Sequence, residues 1–342
     1  MANKIKILIT GGGGYIGSLL VDFFLSDSET EKVFALDLKD ISVFPFPKNS
    51  KLVWLKTELS AQEWQEKVLK EGPLDVVIHS AFIIRRMYGK KGEKLQEKYN
   101  IEGFKNLVNF VFKNEIKKFI CFGSAASYGA RKENRIDYKF KETDPLREST
   151  YLYGLQKKIC EEYLKEVYQE KKKKGEFVPQ IRIIRPVSIV GLKGQKFFQR
   201  FGLIKMFTNP FFPFIFQADK HSLRQFIDED DVIKAVVMFV KEEISGEYEI
   251  YNLSPSDYLL FSEIARIFKK ITVPLPKFFV RLSWWFIWHL SQGKIPLSPD
   301  AVNSFIYPIV IDGSKITRQT NFRYQSNSLK TLLKLSKILP GL

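Results

Sequence analysis

Short β-branched apolar runs alternate with stretches of helical apolar spacing through the first two thirds of the chain. Lys4 to Ile9 reads as a buried strand, and Ser18 to Leu25 as a helix with one apolar face. Further strands are expected at Lys32 to Leu36, Leu52 to Leu55, Asp75 to His79 and Lys118 to Phe122. A sixth, Gln180 to Arg185, is stopped by Pro186. Between them, helical spacing runs to Leu69, from Lys94 to Lys113 and from Tyr153 to Tyr168. Strands joined by helical crossovers call for an α/β fold with a doubly wound parallel sheet, whose ligands sit at the strands' carboxyl ends.

The texture changes after Pro186. Residues 197–216 are dense in phenylalanine and broken by Pro210 and Pro213. Asp230 to Lys241 returns to helical spacing, and Glu247 to Leu253 reads as one more strand. Short helices follow from Ser262, then Phe278 to Leu290 with Trp284, Trp285 and Trp288. This pattern divides the chain into a nucleotide-binding domain, 1–186 completed by 226–253, and a smaller substrate lobe, 187–225 with 254–342. The tryptophan-rich stretch is too short to span a bilayer and carries Arg281 and His289. Core, pocket wall and a surface-lying amphipathic helix in peripheral membrane contact all fit its pattern.

Composition alters this picture little. A hydrophobic content of 45% is that of a soluble globular chain. Cys121 and Cys160 give neither a disulfide framework nor metal-ligand spacing, and suit a reduced, cytoplasmic compartment. No apolar leader precedes the first strand. The net charge of +16 comes largely from dispersed lysines, and the run Lys171 to Lys174 reads as a solvated loop. No nucleic-acid motif accompanies the charge, so the expected partner is a small-molecule substrate.

Candidate chemistry begins in the turn after the first strand, Thr10-Gly11-Gly12-Gly13-Gly14-Tyr15-Ile16-Gly17. Glycines let the backbone turn tightly and approach a pyrophosphate, which the following helix N-terminus favours. The next strand ends in Asp37, twenty residues after Gly17 and placed to accept from ribose hydroxyls. Tyr153 and Lys157 lie four apart on one helix face, where an ammonium near a phenol favours the phenolate. A phenol so tuned exchanges a proton near neutral pH. Ser124 follows the fifth strand, placed to hydrogen-bond the same substrate oxygen.

With these pieces in view, the chain resembles an extended short-chain dehydrogenase/reductase of the NAD-dependent epimerase and dehydratase family, a Rossmann-type fold. The matching residues are Thr10 to Gly17, Asp37, H-S-A at His79 to Ala81, and N-I-E-G at Asn100 to Gly103. Others are the serine cluster ending in Tyr128-Gly129, Y-G-L-Q-K at Tyr153, R-P-V-S-I-V-G at Arg185, R-Q-F-I-D-E-D-D-V at Arg224 and Y-N-L at Tyr251. The resemblance implies Ser124, Tyr153 and Lys157 as the catalytic residues. It implies NAD contacts from Gly11, Gly14, Tyr15, Ile16, Gly17, Asp37, Glu58, Leu59, Ala81, Asn100, Tyr153, Lys157 and Pro186. Substrate contacts are implied for Ser124, Ala125, Tyr153, Ser188 and Arg224, and a homodimer through the helices holding Asn100 and Tyr153.

Departures from the family pattern narrow these implications. Ala125 and Ala126 stand where family dehydratases place an acid pair, which argues against dehydration. Ser188 replaces the asparagine usual in nucleotide-sugar enzymes, whereas Arg224 matches their diphosphate-contacting arginine. Glu58 stands for the usual aspartate that faces adenine. The expected activity is NAD-linked, an epimerase or oxidoreductase acting on a nucleotide sugar, with an apolar ketone or alcohol as the alternative substrate. A non-catalytic NAD-binding protein is the competing class, against which the intact Ser124, Tyr153 and Lys157 weigh.

Overall fold

The computed structural model describes residues 4–194 and 213–337, so most of the phenylalanine-rich stretch lies outside the described residues. The chain enters through β1 (Ile5–Thr10), α1 (Tyr15–Ser26), β2 (Thr30–Asp37), β3 (Leu52–Lys56), α2 (Glu63–Leu69) and β4 (Val76–His79). It continues through α3 (Gly89–Glu97), α4 (Gly103–Lys113), β5 (Lys118–Phe122), α5 (Leu152–Lys173) and β6 (Gln180–Pro186). After β7 (Ser188–Val190), β8 (Phe214–Gln217), β9 (Leu223–Arg224) and β10 (Phe226–Asp228), α6 (Glu229–Lys241) leads into β11 (Tyr248–Leu253).

Seven of these strands form one parallel sheet in the order β11-β6-β5-β4-β1-β2-β3. Strand order reverses between β1 and β4, so the crevice beyond their carboxyl ends is the ligand position of this topology. The strands read as continuous apolar runs because both faces are covered. Ile7, Ile9, Val33, Ala35 and Ile78 pack with Leu20 and Phe24 of α1 and Val232 and Val236 of α6. The alternate residues Leu8, Phe34, Val77 and Phe119 pack with Trp64 of α2, Phe104 and Val108 of α4, and Leu164 of α5.

Outside the sheet, β7 pairs with β10, β9 with β12 (Leu259–Leu260) and β8 with β13 (Ile271–Pro274). These pairs and α7 (Phe261–Ile267), α8 (Lys277–Leu290), α9 (Val302–Ile306) and α11 (Ser328–Ser336) share a separate apolar cluster. It includes Phe226, Phe261, Phe268, Val280, Phe305 and Leu332. The short α10 (Ser314–Gln319) instead joins the sheet, sending Ile316 into the cluster beside α1 and α6.

Two helices differ from the sequence reading, and the stretch read as short helices after Ser262 also holds strand β13. The helix expected from Lys94 begins at Gly89 and widens into a π-helical turn at Lys98–Glu102, which carries Asn100. Lys171, Lys172 and Lys173 form the last turn of α5 rather than a loop. Cations at a helix C-terminus suit the helix dipole, and Lys171 and Lys172 also pair with Glu176 and Glu247.

Candidate active site

The carboxyl ends of β1 and β4 are stitched side by side. The Thr10 hydroxyl lies 2.8 Å from Nδ1 of buried His79, and the Ser80 hydroxyl donates to the Thr10 carbonyl at 2.7 Å. Burial holds the His79 imidazole well below its usual range and therefore neutral. Gly11 has φ +70°, and a Cβ there would stand 2.7 Å from the Ala81 Cα. A Cβ on Gly17 would fall 2.0 Å from the Gly11 carbonyl oxygen. Gly14 begins α1 without a capping side chain, and no acid occupies the first turn of α1. Asp37 leaves β2 with its carboxylate accepting from Gly13 N at 3.0 Å and Lys39 N at 2.9 Å. A tight bare turn, an open helix start and a carboxylate beside them fit a dinucleotide's pyrophosphate and ribose.

Around this turn the other expected residues are mostly bound to protein partners. The Tyr15 hydroxyl donates to Glu229 Oε2 at 2.6 Å, and burial beside that carboxylate pushes the phenol up. Glu229 also accepts from Lys193 N at 2.7 Å and Gly194 N at 3.0 Å, tying the segment after β7 to the start of α1. Ile16 and Ala81 are partly buried and pack on the cores of the sheet's two faces. Asn100 is buried: its Oδ1 accepts from Ile83 N, while its Nδ2 donates to Ile83 O and Gln156 Oε1. It thus braces the segment after Ala81. Glu58 bonds Ser60 and pairs with Lys98 at 2.8 Å, and these contacts hold its carboxyl below the usual range despite slight burial. Leu59 backs Gly103, where a Cβ would approach its own Cβ to 3.0 Å. Pro186 closes β6 opposite Leu253, and Ser188 opens β7 opposite Phe226.

Ser124 and Tyr153 meet because the start of α5 packs on the short turn that follows β5. Ser124 caps a short 3₁₀ turn, Ala125–Tyr128, accepting from Ala126 N at 3.1 Å. Gly154 lies against that turn: a Cβ there would stand 2.8 Å from the Ala126 carbonyl oxygen. Glu148 Oε1 accepts from the N–H groups of Ser149, Thr150 and Tyr151 and so organises the entry to α5. Below the turn, buried Arg185 pairs with Glu161 of α5 and donates to the Tyr128 hydroxyl at 2.6 Å.

Burial pushes the Tyr153 phenol up, and a hydrogen bond with the Ser124 hydroxyl opposes that rise. Lys157 is buried, donates to the Phe122 carbonyl and stands 3.9 Å over the Phe82 ring. Phe82 in turn meets Tyr153 edge-on, ring centroids 5.6 Å apart. The effect resolved at Tyr153 in the protein without cofactor is therefore burial against Ser124, while the sequence reading joins the Lys157 ammonium with the bound nicotinamide ring. Phe82 was missed there, because nothing in its one-dimensional pattern places its ring beside both residues.

Arg224 reaches the same region from β9. Its guanidinium is partly buried, donates to the carbonyls of Leu223 and Ser304, and stands 5.4 Å over the Phe261 ring. Among the described residues no carboxylate pairs with it, and burial pulls its pKa down to about 10. Tyr151 lies within electrostatic reach of Arg224 and packs on Tyr153, centroids 5.7 Å apart. Two further residues escaped the sequence reading. Asp300 accepts from Leu152 N at 2.9 Å, and Phe44 lies against Gly13 and packs on Trp54 at 5.1 Å.

A bare glycine turn and an acid-ended second strand, at the switch point of a parallel sheet, define a Rossmann-type dinucleotide-binding protein. A family model described as the NAD dependent epimerase/dehydratase family matches residues 7–254, and the chain belongs to that family. An Escherichia coli protein named dTDP-4-dehydro-6-deoxyglucose reductase is 27% identical over 278 residues, 77% of this chain and 80% of its own. Among solved structures, the Thermotoga maritima UDP-glucose 4-epimerase with UDP-glucose superposes with a TM-score of 0.73 at 18% identity. That match covers 97% of this chain and 98% of the other. The Bordetella bronchiseptica enzyme WbmG in complex with NAD gives 0.72 at 17% identity, covering 97% and 93%.

Proposed function

We propose that this protein is an NAD-linked epimerase or oxidoreductase acting on a nucleotide sugar, with Tyr153 as the acid/base. Bound in the crevice, NAD supplies reversible hydride exchange. The turn at Gly11, Gly14 and Gly17 would hold its pyrophosphate, and Asp37 its adenosine ribose. Tyr153 would take or return the proton of the substrate hydroxyl, with Ser124 bonded to the same oxygen. Lys157 would supply the positive charge of the site and a donor to the second ribose. The sheet domain, 1–186 with 226–253, would serve the cofactor, and 187–225 with 254–342 the sugar nucleotide. A homodimer through the helices of Asn100 and Tyr153 belongs to the same reading.

The observation that carries the choice of substrate is Arg224. A partly buried guanidinium lacking a carboxylate partner among the described residues is matched to an anion such as a diphosphate, which arginine binds through paired charge-assisted bonds. The name of the Escherichia coli relative agrees with it. Ala125 and Ala126 leave no acid beside Ser124, which favours epimerisation or reduction over dehydration.

The test is turnover of UDP- and dTDP-hexoses with NAD, followed by product chromatography. Tyr153→Phe should lower turnover by roughly 100- to 10,000-fold with the fold and NAD affinity intact. Arg224→Ala should raise KM strongly. Near wild-type turnover in a folded Tyr153→Phe protein would end the catalytic reading. An unchanged KM in Arg224→Ala would end the nucleotide-sugar reading and move attention to apolar ketones, which the Phe82 ring against Tyr153 would suit.

A further inference from the structure

Helix α8 is apolar on two opposite sides. Val280, Trp284 and Trp288, spaced by four, face the protein: Val280 and Trp288 are buried, and Trp284 packs on Phe305 with centroids 5.6 Å apart. On the other side Phe278, Leu282, Trp285, Phe286 and Leu290 follow helical spacing and are between 49% and 75% exposed. Phe279 beside them is 54% exposed. A helix on the surface of a soluble domain ordinarily turns polar residues outward, and a contiguous apolar stripe marks an interaction surface.

Charge identifies what covers it. From Ile264 to Pro299 the chain contains Arg266, Lys269, Lys270, Lys277, Arg281 and Lys294, and no aspartate or glutamate. Arg266, Lys269, Arg281 and Lys294 are exposed. Lys277 pairs with Asp219, while the Arg281 guanidinium bonds the neutral groups of Asn303 and Tyr307. Outward tryptophan and phenylalanine flanked by cations are the composition of a helix lying in a membrane interface, rings at headgroup level and cations on lipid phosphates. At 14 residues α8 is too short to cross the bilayer. A second copy docked through the same face would set one protomer's cations against the other's, which opposes that pairing. We infer that α8 seats this protein in the plane of an anionic bilayer surface through Phe278, Leu282, Trp285, Phe286 and Leu290. The inference is independent of the substrate proposed above.

Vesicle flotation of the full chain tests it, using phosphatidylcholine alone and phosphatidylcholine mixed with phosphatidylglycerol, at low and high salt. The protein should float with the anionic vesicles, less so at high salt, and stay behind with the neutral ones. Replacing both Trp285→Ser and Phe286→Ser should raise the lipid needed for half-binding by about tenfold or more, since two exposed apolar side chains no longer enter the interface. Circular dichroism and NAD binding check that the variant is folded; Phe278→Ser with Leu282→Ser provides a second variant on the same face. Absence of flotation with anionic vesicles, or equal flotation of folded variants, would overturn the inference. So would a concentration-dependent dimer, seen by light scattering, that the same substitutions abolish, because the face would then belong to a second copy.

Discussion

Tyr153 is governed by two opposed influences at the residue scale. Burial raises the phenol's pKa and the Ser124 hydroxyl lowers it, with burial the larger. The net rise keeps the phenol protonated through neutral pH in the protein without cofactor. Oxidation of an alcohol needs the phenolate, so its rate should climb with pH on the alkaline side. Ser124→Ala removes the opposing hydrogen bond and should move that limb to higher pH, while Ser124→Thr, which keeps a hydroxyl, should bring it back. A limb that stays in place in a folded Ser124→Ala protein would remove Ser124 from this role. The residue types were legible because Y-x-x-x-K and a serine after a strand carry recognisable chemistry. The place of the Phe82 ring between Lys157 and Tyr153 was not, since it depends on how the segment after β4 lies against α5.

At the scale of elements, close approach decides which substitutions the site tolerates. A Cβ on Gly17 would fall 2.0 Å from backbone that cannot move without opening the turn. Gly17→Ala should therefore destabilise by about 1–3 kcal/mol, the range of overpacked positions, and weaken NAD binding. Urea unfolding and cofactor titration read the two effects. The Glu161–Arg185 pair joins α5 to β6 beneath the Ser124 turn, both side chains almost wholly buried. Glu161→Ala strands a buried guanidinium and should cost about 3–5 kcal/mol by urea unfolding. A loss below 1 kcal/mol would show that water or Tyr128 compensates. The seven strands of the central sheet were readable to within a few residues from their apolar runs, because the inner strands are buried on both faces; the short strands β7 to β10, β12 and β13 were not. The π-helical turn at Asn100 was not, for it follows from that side chain bracing Ile83 across the sheet end.

For the whole molecule, cofactor binding and folding are linked. A ligand held only by the folded protein at a hundred times its dissociation constant stabilises by about 2.7 kcal/mol. NAD at that excess should raise Tm accordingly. Asp37 should set the choice between nicotinamide cofactors, because a 2′-phosphate would meet a carboxylate already fixed by Gly13 N and Lys39 N. NADP should bind about tenfold or more weakly and shift Tm less at equal concentration. Equal shifts would mean that Lys39 neutralises the clash.

The sequence by itself determined the alternation of strand and helix, the glycine turn with its acid twenty residues on, and the family those residues resemble. These are local properties: periodicity sets which face is buried, and glycine sets where the backbone may turn. Only the tertiary structure decided which side chains the fold spends on itself. Asn100 and Tyr15 are bound to Ile83 and Glu229, partners 17 and 214 positions away. It also decided which side of the tryptophan-rich helix joins the core, since its pattern is apolar on two opposite sides. Packing Val280 and Trp288 inward left Trp285 and Phe286 facing out, because a helix can press only one face against a single core.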